Sequence, residues 1–186
     1  MIPIKNKNDF EENIIEIRRL AFLYLEKYSC SKQQIRIYLL KKMMNKPNKL
    51  KNKNELINLI DTILENLEEK NYLSDELYSN SKAKFYLKKG YSLNKIRSSL
   101  IKKGISDKYV KSSISRIKDE EIDPDFFSAI KICKKRRIGP SREEGNRPLF
   151  YKKDMGILAR NGFSYELSKK VLDLSKNEFK KLSNMV

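Results

Sequence analysis

Apolar residues recur at three- and four-residue spacing along most of the chain, and strand-like alternation is absent. Ile14, Ile17, Leu20, Ala21, Tyr24, Leu25 and Tyr28 share one stripe, which predicts a helix ending before Ser29-Cys30-Ser31. Ser31 is placed to cap a second helix reaching about Met44. The polar run "NKPNKLKNKN" has no apolar face and predicts a loop over 45–54. Leu56, Ile57, Ile60, Ile63, Leu64 and Leu67 make the stripe of a third helix, to about Asn71. Further helices are predicted at 74–90, 92–103 and 106–120, with Ser74, Ser92 and Ser106 as caps. Asp123-Pro124 opens another to about Arg137, "GPSREEGNRP" reads as a loop, and helices at 149–161 and 164–182 end the chain, Ser164 capping the last. Gly90, Gly104 and Gly162 stand where helices must stop.

The pattern also repeats. "SKQQIRIYLLKKM" returns 61 positions later as "SLNKIRSSLIKKG", aligning Ser31, Ile35, Arg36 and Leu39 with Ser92, Ile96, Arg97 and Leu100. The expected architecture is all-α: a tail at 1–9 and three-helix modules at 10–73, 74–121 and 122–186, with the enlarged loop 45–54 in the first. Such short modules bury little alone, so neighbours are expected to stack into an elongated, curved solenoid.

Charge changes this picture from a fold to a surface. The net charge is +17, which draws polyanions or acidic protein faces through long-range attraction. A lysine-rich helix face is ordinarily just a solvated one, but here the two signs are segregated. No acid occurs between Glu26 and Glu55 or between Glu76 and Asp107, while "KICKKRRIGPSR" supplies a third basic block. Acids gather elsewhere, as in Asp61, Glu65, Glu68 and Glu69. Stacking would align the basic blocks into a stripe. The candidate partner-binding residues are Lys82, Lys84, Lys95, Arg97, Lys102, Lys103, Arg136, Arg137, Arg142, Lys152, Lys153 and Arg160. Arg97 flanks the seam Leu93, Ile96 and Leu100, and either meets a partner or packs its stem along that seam.

Catalytic chemistry finds little support. There is no histidine, which removes the usual triads and zinc sites. The glycines form neither a dinucleotide fingerprint nor a P-loop. Cys30 and Cys133 have no second thiol beside them, and Cys133, among Ile130 and Ile132, reads as a small apolar core residue in a reducing compartment. No stretch approaches the roughly 18 apolar residues of a membrane span, and the start lacks a leader's apolar core. A cytoplasmic protein is expected.

Three segments carry a family resemblance: "NYLSDELYSNSKAKFYLKKGYSLNKIRSSLIKKGIS", "DPDFFSAIKICKKRRIGP" and "KKDMGILARNGFSYELSKKVLDL". Within them the turn "NYLSDELY", the GY-S-x-x-x-IR-x-x-L-x-x-KGI run at 90–105 and GFSYEL at 162–167 are the most specific. Together they resemble RecX, the bacterial regulator of the RecA recombinase, over nearly all of the chain after Phe10. The resemblance implies a monomeric stack of three-helix modules lying along the RecA filament on single-stranded DNA. It implies inhibition of filament extension, ATP hydrolysis, strand exchange and co-protease activity in DNA repair and the SOS response. DNA contact would be accessory, with no cofactor and no chemistry of its own.

Two other classes compete. A direct DNA-binding helical-repeat protein would use the Ser-capped turns in a helix-turn-helix manner, but lysine-heavy faces suit phosphates or carboxylates better than base edges. A metal-dependent nuclease would need a second acidic cluster beside Asp61, Glu65, Glu68 and Glu69, and the sequence places none.

Overall fold

The structure, a computed structural model, describes residues 4–45 and 53–185, and side chains from residue 10 onward. Loop 45–54 therefore lies largely outside the described residues. Ten α-helices follow in order: α1 (Ile4–Lys27), α2 (Lys32–Met44), α3 (Lys53–Glu69), α4 (Asp75–Lys88), α5 (Leu93–Ile101), α6 (Asp107–Glu120), α7 (Pro124–Arg136), α8 (Arg147–Arg160), α9 (Tyr165–Leu172) and α10 (Lys176–Ser183). Two single 3-10 turns, Gly139–Ser141 and Glu144–Asn146, occupy the stretch between α7 and α8. The described residues contain no strand, in line with the all-α expectation.

Capping chemistry sets most of these boundaries. Ser31 closes a capping box with Gln34, and the hydroxyls of Ser74, Ser92 and Ser164 accept from the backbone N–H groups of Leu77, Lys95 and Leu167. Each bond satisfies a first-turn donor that has no partner within its helix. Ser106 occupies the N-cap position of α6 but makes no side-chain cap bond. Helix ends close by left-handed residues. Gly90 and Gly162 have φ of +82° and +85°, and the amides that follow them reach back to Tyr86 O and Leu158 O.

The structure corrects the sequence reading at both ends. Residues 4–9, expected as a tail, belong to α1; Pro3 stands just ahead, and no Gly or Pro interrupts 4–27. The single helix expected at 164–182 is two. Ser175 forms a second capping box with Glu178 and starts α10, while the Arg147 guanidinium donates to Leu172 O at 2.6 Å and Leu174 O at 2.7 Å. Carbonyls freed by the break are thus satisfied by a side chain 25 residues upstream of Leu172, which local periodicity does not reveal.

The described residues form two compact units, one of those within 1–78 with 103–105, the other of those within 79–102 with 106–185. In the first, α1, α2 and α3 pack mutually around Ile17, Ala21, Ile35, Leu39, Ile60 and Leu64. In the second, α7 to α10 enclose Ala129, Ile130, Cys133, Leu158, Val171 and Leu172, and α5 packs on α6, where Ile96, Leu100 and Val110 are buried. These faces match the periodicity, except that Tyr28 is 56% exposed and Leu59 is buried instead.

Each unit contains one version of the same junction. In the first, Asp75 accepts the Lys32 backbone N–H at 2.8 Å, the Ser31 hydroxyl donates to Lys103 O, and Gly104 lies flat against Gln33. In the second, Asp125 accepts the Leu93 N–H at 2.7 Å, Ser92 N–H donates to Asn161 O, and Gly162 lies against Ser92 and Lys95. A carboxylate thus meets the positive end of α2 or α5, where orphan donors and the helix dipole both favour an anion. The glycine provides the close approach. A Cβ at Gly162 would stand 2.4 Å from Ser92 Oγ and 3.0 Å from Lys95 Cβ. Gly162→Ala is therefore expected to cost about 2–4 kcal/mol through left-handed strain and overpacking. Gly145→Ala, with nothing within 4 Å, should be near neutral; denaturant midpoints of the two variants check this.

Candidate polyanion-binding surface

The α5 helix orders the central candidates. Ile96 and Leu100 turn inward and are fully buried, while Arg97, flanking that seam, and Lys102, at the C-cap, are exposed. Lys95, half-buried, sends its ammonium to Asn161 Oδ1 and Arg160 O, both at 3.0 Å, and over the Tyr91 ring at 4.2 Å from its centroid. Burial, together with the nearby Arg136 charge, holds the Lys95 ammonium below its ordinary pKa. Lys95 on α5 thus lies near the Arg136 charge of α7 and bonds the Arg160 backbone carbonyl at the end of α8. Arg97, Lys102, Arg136 and Arg160 are exposed, and none of them forms an ion pair among the described residues.

Other candidates are placed differently. Lys82 lies 5.4 Å from the Phe85 centroid. Lys84 binds Glu120 at 2.8 Å with both side chains 53% exposed, a pair worth at most about 1 kcal/mol and easily exchanged. Lys103 is half-buried in the first unit and offers its carbonyl to Ser31. Lys152 and Lys153 are exposed on the first half of α8, with Lys153 5.8 Å from the Phe150 centroid. Arg142 is held internally: its Nε and Nη2 grip the buried Asp154 carboxylate at 2.7 and 2.9 Å. The same carboxylate accepts Gly139 N–H at 2.8 Å.

Arg36, the repeat equivalent of Arg97, forks onto Asp61 at 2.5 and 2.6 Å. Lys32 binds Glu68 at 2.8 Å. Half of the acidic row on α3 is therefore engaged by cations of α2. Among the described residues no three His, Cys, Asp or Glu side chains are grouped to hold a metal. Cys30 and Cys133 are buried, and burial with a nearby carboxylate pushes their thiols up to about 11 and about 12, far from the thiolate form that reacts.

Arg137 pairs exposure with strain. It closes α7 at φ +52°, ψ +52°, a left-handed position that Asn and Asp tolerate better, as at Asn71 and Asp123. Glycine there would relieve roughly 1 kcal/mol. Arg137→Gly is expected to raise the melting temperature by about 2–4 °C while weakening polyanion binding several-fold. A melt and a binding titration on one preparation check both signs.

Sequence reasoning missed the aromatic rings beside these cations. Phe85 and Tyr86 touch at 5.9 Å, Tyr86 and Tyr91 stack at 5.3 Å with an 8° tilt, and Lys89 stands 4.2 Å over Phe85. The signal was present in "KFYLKKGYSLNK", where aromatic residues interleave with lysines, but only the fold brings Tyr91 back onto Tyr86.

No protein-family model and no curated protein sequence matches the chain. Two solved structures do resemble it. A crystal structure of the regulatory protein RecX aligns with 89% of this chain and 74% of its own length, at TM-score 0.64 and 18% identity. That of RecX from Lactobacillus salivarius aligns with 95% of this chain and 99% of its own, at TM-score 0.61 and 15% identity. No described helix is long and apolar enough to cross a membrane. An all-helical chain superposable on both over most of its length, and bearing the quoted segment patterns, carries the fold of the RecX regulatory proteins.

Proposed function

We propose that the chain is a RecX-type regulator that binds the RecA filament on single-stranded DNA and inhibits its extension. Loss of ATP hydrolysis, strand exchange and co-protease activity would follow. It acts by binding alone, as a cytoplasmic monomer. The observation that carries this reading is the approach of Lys95 on α5 to the Arg136 charge on α7, with Arg97, Lys102 and Arg160 exposed and without ion pairs among the described residues, on a RecX fold. Arginine forks present paired donors to carboxylates and phosphates alike, so such a surface suits an acidic protein face laid along a polyanion.

The test is DNA-dependent ATP turnover by the cognate RecA with substoichiometric protein added, beside binding to bare single strand at the same salt. Turnover lost far below the concentration that coats DNA supports filament targeting. Inhibition that merely tracks DNA coating would replace it with a direct DNA binder.

A further inference from the structure

The first unit carries an apolar face that its own core leaves uncovered. Helix α1 buries Ile17, Leu20 and Ala21, while Ile15 and Phe22, seven residues apart, stay exposed. Arg18 lies between them on the same face, because positions 15, 18 and 22 are three and four apart. Tyr72, just beyond α3, meets Phe22 edge-on with ring centroids 5.3 Å apart. Phe22 is 45% exposed and Tyr72 59%. This ring pair borders two hollows. One, of about 420 Å³, is also lined by Leu23, Leu25 and Glu26. The other, of about 170 Å³, is lined by the buried Ile63 and Leu67 and by Arg18, Asn66 and Lys70. Arg18 and Lys70 are exposed and form no ion pair among the described residues. The acids of α3, Glu65, Glu68 and Glu69, border a separate hollow.

Single exposed apolar residues are ordinary, but packed rings around concave hollows with a charged rim have the anatomy of a binding hot spot. A second copy of the chain is a poor occupant. Two-fold pairing through this face would bring Arg18 and Lys70 near their own equivalents, on chains of net charge +17. A bilayer surface is flat and leaves both hollows unfilled. We infer that the face docks an acidic amphipathic helix of a partner protein. Its apolar side chains, at three-, four- or seven-residue spacing, enter the hollows on Phe22 and Tyr72, and a carboxylate reaches Arg18 and Lys70. Glu26 gives the complex a direction, since it repels acids from the larger hollow and leaves them the side of Arg18 and Lys70. None of these residues is among the cations that the filament reading uses, so the inference does not rest on that reading.

The experiment selects displayed random peptides of about 16 residues, roughly four helical turns, on the immobilised full chain without recombinase. Peptides that also bind the Phe22→Ala/Tyr72→Ala double variant are discarded. That variant keeps every charge, so the step removes peptides held by net charge alone. Survivors should carry apolar residues at helical spacing beside Asp or Glu. In fluorescence anisotropy the tightest survivor should bind Phe22→Ala about tenfold or more weakly. Arg18→Gln and Lys70→Gln should each lose about two- to fivefold, and Glu26→Gln should bind at least as well as wild type. Melting curves show that each variant is folded, and the three charge changes, at exposed positions, keep the test valid where removing a ring disturbs α1. No survivors, survivors without acids, or charge variants indistinguishable from wild type would overturn the site. Phosphatidylglycerol vesicles bound by wild type and not by the double variant would overturn it and assign the face to a membrane. A wild-type dimer in sedimentation that the double variant abolishes would overturn it and assign the face to a second copy.

Discussion

Replacing Arg97, Lys102, Arg136 and Arg160 together by Gln is expected to weaken filament inhibition by about a hundredfold or more while leaving the helix content unchanged. All four side chains are exposed, so no internal ion pair is lost. Several charges acting on one polyanion give a steep, salt-dependent attraction, and removing four should flatten the salt dependence as well as lower affinity. Gln is preferred to Glu for a structural reason. Lys102 caps α5, Arg136 ends α7 and Arg160 ends α8, and an acid at a helix C-terminus opposes the dipole by about 0.3–1 kcal/mol each. Gln keeps helix propensity and isolates the binding effect. A fall in melting temperature as large as the loss of inhibition would show that these cations serve the helix ends instead.

The second large effect is structural. Asp154, 1% exposed, takes three hydrogen bonds, two from Arg142 and one from Gly139 N–H. Asp154→Ala strands a buried amide and a partly buried guanidinium, which should destabilise the second unit by about 3–5 kcal/mol. Burial works against the Asp154 charge, but the bonds from Arg142 and Gly139 outweigh it and hold the carboxyl below its ordinary value. The sign follows. A carboxyl whose folded pKa lies below its unfolded pKa adds stability that is fully present above the unfolded value, near 4, and lost as pH falls through the folded one. Wild type should therefore weaken below about pH 4, and Asp154→Asn should lose that part of the acid response. Urea midpoints between neutral and strongly acidic pH measure it.

Much of the fold was legible because helices announce themselves locally. The stripe Leu56, Ile60, Ile63, Leu64 and Leu67 is buried as its period requires, and Ser31, Ser74, Ser92 and Ser164 cap where a polar residue precedes an apolar run. Capping and periodicity are short-range, so a reader of the chain sees them. The split of the last helix was not seen, because Arg147, distant in sequence, supplies donors for the carbonyls of the break.

The chain by itself determined the helical class and most of the caps, since each depends on neighbours within about one or two turns, and it displayed the repeat and the segregation of charge directly, since both are properties of residue order. It could not assign a task to each cation. Arg36 and Arg97 occupy equivalent positions in sequence, yet Asp61 on α3 takes the first and no described acid pairs with the second. Arg142 looked like one more member of a basic block until the fold put the buried Asp154 within its fork. Lys95 lies over Tyr91 by local spacing, but it gained Asn161 and the Arg160 carbonyl only when α8 met the α5 N-terminus. An ion pair needs two groups within about 4 Å, and between residues on different elements that distance is set by packing rather than by spacing along the chain.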